Sequence, residues 1–161
     1  MGAERDTVTF VCTGNTCRSP MAEALLRAAL TKRGDGLGHL KVTSCGLAAE
    51  EGVPASANSQ RVMSKIGLDL SAHRSRAVSR EAMDRSLVVF AMTARHVEVL
   101  RERFGSLPDR VIVLRDVLPE GASRNIPDPF GGDLREYEEC RDSMVEAVPA
   151  LIEFLRKHFA R

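Results

Sequence analysis

The strongest constraint on the fold of this 161-residue chain is a regular alternation of short apolar runs with longer amphipathic segments. The clearest run, at 87–91, reads Leu-Val-Val-Phe-Ala, an almost continuously apolar stretch that is typical of a strand buried on both faces. Comparable runs predict three more strands, at 7–11, 41–44 and 111–114. The pattern therefore favours a parallel sheet whose faces are covered by helices.

The amphipathic segments predict four helices, which span 21–32, 57–66, 94–104 and about 134–159. Glycines follow the first three, at 34, 67 and 105, as is common at helix C-termini. Alternating strands and helices imply an α/β fold, a four-stranded parallel sheet joined by right-handed crossovers with helices on both faces. Ligands of such sheets bind at the carboxyl ends of the strands, near the reversal of strand order.

The length suits one domain with a core large enough to need no disulfide or structural metal. The segments 34–38 and 118–133, rich in glycine and proline, are predicted to be surface loops. With 23 basic and 22 acidic side chains the formal charge is +1, which argues against nucleic-acid binding and against a polybasic membrane surface. We expect a monomer, although the sequence leaves the oligomeric state open.

Residues 1–6 are mostly polar, and no later run approaches the roughly 20 apolar residues that span a bilayer. The four cysteines form no Cys-x-x-Cys pair, which argues against a zinc site and favours a reducing compartment. They lie at positions 12, 17, 45 and 140. We therefore expect a cytoplasmic protein.

A candidate catalytic loop connects the first predicted strand to the first predicted helix and reads Cys-Thr-Gly-Asn-Thr-Cys-Arg-Ser from Cys12 to Ser19. Ser19 followed by Pro20 predicts an N-cap and a first helical residue, so the helix directs its amino end at Cys12. The amides of 13–18 can converge there on a phosphate or a thiolate, and they favour deprotonation of Cys12. Arg18 adds a planar fork that grips two phosphoryl oxygens.

A cysteine and an arginine at this spacing also occur by chance, and free cysteine is often simply buried. Gly14 and Asn15 favour the functional interpretation because both residue types tolerate the left-handed backbone that a tight anion cradle requires. We therefore predict a thiol nucleophile that attacks phosphorus, with the loop amides and Arg18 holding the oxygens. This chemistry implies neither a metal nor a cofactor.

The leaving group of such a reaction needs a proton donor, and Asp128 is the best candidate because Pro127 and Pro129 stiffen its backbone. After transfer the same carboxylate is expected to activate the water that hydrolyses the cysteinyl phosphate. An Asp-Pro turn is the alternative interpretation of this segment.

These motifs resemble the low-molecular-weight protein tyrosine phosphatases, and the matches cover nearly the whole chain in the family's order. The loop 12–19 matches the family signature, 44–46 (Ser-Cys-Gly) its Ser-Ala-Gly segment, 70–74 the region of the histidine that supports its catalytic loop, and 128–130 its general-acid loop. The resemblance implies the family's Rossmann-like fold and phosphorylated proteins as substrates. It also implies that Asp128 is the general acid and that Ser44 and His73 support a strained Asn15; by itself, His73 would be taken for an ordinary surface histidine.

Within that family Thr16 and the run 128–132 are most similar to the bacterial protein arginine phosphatases. Tyrosine phosphatases typically carry isoleucine or leucine in place of Thr16, whose hydroxyl suits a guanidinium better. The segment 47–49 also lacks an aromatic side chain for a phosphotyrosine ring, which leaves Phe130 as the aromatic residue predicted at the mouth. Phosphoarginine is therefore favoured, phosphotyrosine is the alternative, and a mere packing role for Thr16 stays open.

Two further loop residues have alternative roles. Ser19 is expected to hydrogen-bond the Cys12 thiolate, to cap the helix, or to do both. Cys17 is either a small buried side chain or a thiol that traps oxidised Cys12 as a disulfide. Cys45 and Cys140 are assigned to packing.

Two other functional classes are less consistent with the sequence. An arsenate reductase relays electrons through a further cysteine pair, and no cysteine lies between Cys45 and Cys140 to form one. A noncatalytic phosphate-binding module would not need both Cys12 and Asp128.

Overall fold

The computed structural model describes residues 4–31 and 36–161. Its centre is a four-stranded, fully parallel sheet of order β2-β1-β3-β4. The strands are β1 (Thr7–Cys12), β2 (Lys41–Gly46), β3 (Ser86–Ala91) and β4 (Val111–Val113). All six residues of β1 and five of six in β3 are buried, as expected for apolar runs covered on both faces.

Within residues 4–31 and 36–161, five α-helices and one 3-10 helix connect and cover the strands. They are α1 (Arg18–Thr31), α2 (Ala57–Ser64), α3 (Arg80–Arg85), α4 (Ala94–Phe104), the 3-10 helix Leu114–Val117, and α5 (Leu134–Phe159). Side chains of Ser56, Ser79, Thr93 and Asp133 cap α2, α3, α4 and α5 by accepting from a backbone amide of the first turn. In the part of the chain that is described, no helix is long and apolar enough to cross a bilayer.

The two faces of the sheet carry different helices, as the sequence predicts. The larger core cluster joins β1 and β3 to α1, α2 and α5, and includes Phe10, Phe90, Met21, Val62 and Met144. The opposite face joins the strands to α3 and α4, and includes Val11, Val89, Met83 and Leu100. The four-stranded α/β prediction is confirmed.

Strand order reverses at β1, because β2 lies on one side of it and β3 on the other. The chain leaves β1 for α1 on one face and leaves β3 for α4 on the opposite face. A crevice therefore opens between the carboxyl ends of β1 and β3, the place where ligands of such sheets bind. Cys12, the last residue of β1, lies at this crevice.

Several predicted boundaries were wrong. Helix α1 begins at Arg18 rather than after a Ser19 cap, α2 ends at Ser64 rather than at 66, and Leu114 starts the 3-10 helix instead of ending β4. Helix α3 was not predicted, because six mostly charged residues carry little periodicity. The predicted end of the first helix at residue 32 and the start of the loop at 34 lie outside the described residues.

Candidate active site

The Cys12 sulfur lies at the centre of the loop that follows β1, and the side chain is buried. Its Sγ is 2.9 Å from Ser19 Oγ in the first turn of α1, and the backbone amide of Asn15 donates to it at 3.3 Å. The loop thus brings a hydroxyl and a backbone amide to the Cys12 sulfur beside the amino end of α1.

The outer side of the loop is bound to the chain that continues from β2. Leu47 N donates to Cys12 O and Ala48 N donates to Thr13 O, both at 2.9 Å. Gly46 lies so close that a Cβ there would be 2.6 Å from Thr13 O and 2.9 Å from Asn15 N. Glycine is therefore required at the end of β2 because the two backbones touch.

Asn15 is the one non-glycine residue in the described part of the chain with a positive φ, 56°. Its Nδ2 donates to Ser19 Oγ at 2.8 Å and to Ser44 Oγ at 2.9 Å, while its Oδ1 accepts from the Arg76 amide at 3.0 Å. His73 Nε2 donates to the Asn15 carbonyl at 2.7 Å. These bonds hold a conformation that costs backbone strain, and they include both partners, Ser44 and His73, that the resemblance implied.

The Ser19 hydroxyl does not cap α1. Asn15 donates to its oxygen, and this leaves the hydroxyl proton free to donate to Cys12 Sγ. The prediction of a Ser19 cap with Pro20 as first helical residue was wrong because α1 begins two residues earlier, at Arg18. Pro20 still lies in the first turn, where its lack of an amide proton is harmless.

Arg18 and Asp128 meet at the mouth of the site. Arg18 Nη2 lies 3.5 Å from Asp128 Oδ2, and Arg18 Nη1 donates to the Ile126 carbonyl at 2.9 Å. The Arg18 side chain is 4% exposed and that of Asp128 is 47% exposed. Arg18 Nε is buried without a hydrogen-bond partner among the described residues, so the guanidinium keeps a donor for an anionic ligand.

The segment after Asp128 forms a tight turn, in which Phe130 N donates to Asp128 Oδ1 at 3.0 Å. The Phe130 side chain is 77% exposed, so a substrate can reach it. The predicted surface loop 118–133 is mostly exposed, but Ile126 is fully buried and supplies the carbonyl that orients Arg18.

Thr16 and Cys17 lie on the side of the loop that contacts Ser56 and Tyr137. Thr16 is half-buried, its carbonyl accepts from Ser56 N at 2.9 Å, and its Oγ1 makes one long contact, 3.8 Å to Cys17 Sγ. Cys17 Sγ lies 3.4 Å from Ser56 Oγ and 3.5 Å from the Tyr137 hydroxyl. Burial and the hydrogen bond to Cys17 raise the pKa of Tyr137 to about 12, so this phenol is neutral.

The other two cysteines lie in the core. Burial, with a smaller effect of Cys12, raises the pKa of Cys45 to about 12, and burial likewise raises the pKa of Cys140 to about 12. Both are therefore neutral thiols at physiological pH. All four cysteines are free, and within residues 4–31 and 36–161 no group of three His, Cys, Asp or Glu side chains has the arrangement of a metal site.

His96, which was not predicted to be a functional residue, contacts the loop 12–19 from α4. It lies in the first turn of α4, is 6% exposed, and its Nε2 is 3.0 Å from Thr13 Oγ1. Burial, and then the charge of Arg18, lower its pKa to about 4, so the imidazole is neutral at physiological pH. In the sequence, a histidine in an amphipathic helix that contacts a catalytic loop looks the same as one that only packs in the core.

Two more residues of the site were missed for the same reason. Glu23, one turn along α1, accepts from Ser44 Oγ at 2.7 Å, and Tyr137 reaches Cys17 from α5. Each looks in sequence like an ordinary residue of an amphipathic helix, and only the tertiary structure brings it to the loop.

A buried thiol whose sulfur contacts the Asn15 amide and the Ser19 hydroxyl, together with an arginine that pairs with a carboxylate, is the arrangement of a cysteine-dependent phosphatase site. The model of the low molecular weight phosphotyrosine protein phosphatase family matches residues 7–161, and the chain belongs to this family.

Its relatives include both specificity classes. The chain is 38% identical to a protein-arginine-phosphatase of Geobacillus stearothermophilus over 149 residues, which cover 92% of this chain and 95% of the relative. It is 35% identical over 156 residues to a low molecular weight protein-tyrosine-phosphatase of Streptomyces coelicolor, with 93% of each chain covered.

A solved structure with the same fold is that of the YwlE arginine phosphatase, a mutant whose active-site serine is phosphorylated. Its TM-score is 0.86 at 32% identity, and the match covers 95% of this chain and 97% of that chain.

Proposed function

We propose that this metal-independent protein phosphatase hydrolyses phosphoarginine in proteins through a cysteinyl-phosphate intermediate on Cys12. The observation that carries the phosphatase chemistry is the buried Cys12 sulfur, which has Ser19 Oγ at 2.9 Å and the Asn15 amide at 3.3 Å. Arg18 Nε is buried and has no hydrogen-bond partner in the described part of the chain, so it supplies a further donor for the phosphoryl oxygens.

In the first step the Cys12 thiolate attacks phosphorus, a sulfur–phosphorus bond forms, and the phosphorus–nitrogen bond to the guanidino group breaks. Arg18 and the loop amides hold the three equatorial oxygens. Protonated Asp128 gives its proton to the leaving nitrogen, and its half-exposed position at the mouth suits this exchange with substrate and solvent.

In the second step a water molecule attacks phosphorus from the side that the leaving group vacated. The Asp128 carboxylate takes the proton of this water, inorganic phosphate leaves, and the sulfur–phosphorus electron pair returns to Cys12 as thiolate. The Ser19 hydroxyl donates to this sulfur and stabilises the charge that returns to it.

Phosphoarginine is favoured over phosphotyrosine by Thr16. Among the described residues its half-buried hydroxyl makes only the long contact to Cys17, so it is available to accept from a guanidinium N–H. The name of the Geobacillus stearothermophilus relative supports the same substrate. Phosphotyrosine is the second candidate, because a relative of similar identity is a tyrosine phosphatase and because Phe130 is exposed beside Asp128.

The specificity is tested with two peptides of one sequence that carry phosphoarginine or phosphotyrosine at the same position. Replacing Thr16 by Ile is expected to lower kcat/KM on phosphoarginine by about 10- to 100-fold and to raise relative activity on phosphotyrosine, because one hydrogen bond to a charged group is lost. Thr16→Ser keeps the hydroxyl and is the matched control. An unchanged ratio of the two activities in Thr16→Ile would show that Thr16 does not select the substrate.

The catalytic roles are tested by mass spectrometry with p-nitrophenyl phosphate, whose leaving group departs with little help from an acid. Asp128→Asn is expected to accumulate phosphate on Cys12, because formation of the intermediate proceeds while its hydrolysis lacks a base. Cys12→Ser is expected to give no turnover. Asp133→Asn, at the N-cap of α5, is the control, since asparagine caps equally well. Normal turnover by Asp128→Asn would remove Asp128 from the mechanism.

We also propose that the protein acts as a cytoplasmic monomer. Four free thiols suit a reducing compartment. The large hydrophobic side chains that are exposed in the described chain, Ile66, Phe130 and Val145, are few. Light scattering coupled to gel filtration tests the oligomeric state: a mass of one chain is expected, and a mass of two chains contradicts the proposal.

A further inference from the structure

The chain segments after β1 and β3 diverge to opposite faces of the sheet, and one side-chain contact bridges the crevice between them. Thr13 follows β1, His96 lies in the first turn of α4 after β3, and Thr13 Oγ1 is 3.0 Å from His96 Nε2. His96 is nine-tenths buried, and its backbone amide is bound by the Thr93 cap. His96 is thus anchored in α4 through its backbone, and its imidazole contacts the loop 12–19, called below the phosphate-binding loop.

The segment 92–96, which ends with His96, also contacts the loop that carries Asp128. The Ala94 amide donates to Asn125 Oδ1 at 3.2 Å, and the Ile126 amide donates to Met92 O at 3.0 Å. The Ile126 carbonyl in turn accepts from Arg18, which pairs with Asp128. Residues 92–96 therefore lie between the loop that holds the nucleophile and the loop that holds the acid.

The charge state of His96 suits this position. Because the pKa of His96 is lowered to about 4, the ring adds no second cation beside Arg18 and does not draw the Asp128 carboxylate away from it. His96 Nδ1 is, with Arg18 Nε, one of two buried side-chain polar atoms that lack a partner in the described residues. A histidine kept in the core with half of its polar atoms unpartnered costs stability, which favours a functional reason for its presence.

We propose that His96 is a positioning residue that holds the phosphate-binding loop at a fixed distance from the segment 125–130, which carries Asp128. The inference rests on the roles proposed above for Cys12 and Asp128. The Thr13–His96 hydrogen bond sets where the phosphoryl group lies, and the contacts of Ala94 and Met92 set where Asp128 lies relative to it. Proton transfer to the leaving group depends on that separation.

The leaving group tests this role. Phenyl phosphate needs a proton from Asp128 as it leaves, whereas p-nitrophenyl phosphate needs little, and kcat/KM reports the step in which the ester bond breaks. His96→Phe keeps a planar ring and removes the hydrogen bond to Thr13. It is expected to lower kcat/KM about tenfold on phenyl phosphate and less than about threefold on p-nitrophenyl phosphate.

Arg95→Gln, an exposed change in the same turn of α4, is the matched control and should leave both activities unchanged. A purely structural role of His96 would lower the activity on both esters by the same factor, and that result would overturn the inference. Asp128→Asn, run in parallel, reports on the acid itself. If it shows equal losses on both esters, the proposed role of Asp128 fails; if its losses differ and those of His96→Phe do not, only the role of His96 fails.

A double-mutant cycle isolates the contact and does not depend on one variant. Thr13→Val removes the hydroxyl from an exposed loop residue, so its folding is less at risk than that of His96→Phe. We expect Thr13→Val to show the same leaving-group dependence, and the double variant to lie within about twofold of His96→Phe. Losses that multiply in the double variant would show that the two side chains act independently and would contradict the inference.

Discussion

Replacing Gly46 by alanine tests how closely the end of β2 supports the phosphate-binding loop. The new Cβ would lie 2.6 Å from Thr13 O and 2.9 Å from Asn15 N, whereas atoms in contact normally stay about 3.5 Å apart. Both neighbours are backbone atoms, and Gly46 is held on its far side by hydrogen bonds with Arg76 and Val78. The loop must therefore shift by about 0.5 to 1 Å.

A displacement of this size next to the nucleophile is expected to lower kcat/KM about 100-fold. Overpacking is expected to lower the free energy of unfolding by about 1 to 3 kcal/mol, which leaves the protein folded. The assay is hydrolysis of p-nitrophenyl phosphate below the unfolding transition, with Gly38→Ala as control, because a Cβ at Gly38 meets nothing within 4 Å. Wild-type activity in Gly46→Ala, or a loss that follows the unfolded fraction, would refute the reasoning.

Three further changes have defined outcomes. Ser19→Ala removes the donor 2.9 Å from the Cys12 sulfur, so kcat on p-nitrophenyl phosphate should fall about tenfold. A burst of p-nitrophenol should precede the slow phase, because hydrolysis of the intermediate slows. An effect on KM alone would contradict this role of Ser19. Cys17→Ser should recover less activity than the parent when dithiothreitol follows peroxide, since no thiol traps oxidised Cys12, and equal recovery would exclude the trap. Because the pKa of His96 is lowered from 6.5 to about 4, the unfolded state binds more protons in that window, and the free energy of unfolding should fall as the pH falls from 6.5 to 4. The variant His96→Gln should lose less unfolding free energy over the same pH window, by up to about 3 kcal/mol, as measured by urea titration. If the unfolding free energy falls equally with pH in the parent and the variant, the lowered pKa of His96 is contradicted.

The backbone arrangement of the loop 12–19 can be predicted from the sequence because the information for it is local. The spacing of Cys12 and Arg18, the glycine and asparagine between them, and the strand and helix on either side all lie within residues 7–31. Asn15 does adopt the left-handed backbone that its residue type allows. The parallel sheet is equally predictable, because long buried strands carry the strongest apolar signal.

Contacts between distant segments are not visible in the sequence. His96 reaches Thr13 across 83 positions, and Tyr137 reaches Cys17 across 120. Both residues belong to amphipathic helices, in which a histidine or tyrosine more often serves the core. Ser19 shows a second limit: its residue type suits an N-cap, but tertiary contacts with the Cys12 thiol and Asn15 determine what its hydroxyl does.

The central claim is that this phosphatase acts on phosphoarginine, and the ratio of kcat/KM for matched phosphoarginine and phosphotyrosine peptides on the unmodified protein tests it most directly. Thr16 and the arginine-phosphatase relatives predict a ratio well above one. A ratio below one would contradict the claim and make the protein a tyrosine phosphatase, while the roles of Cys12 and Arg18 would stand.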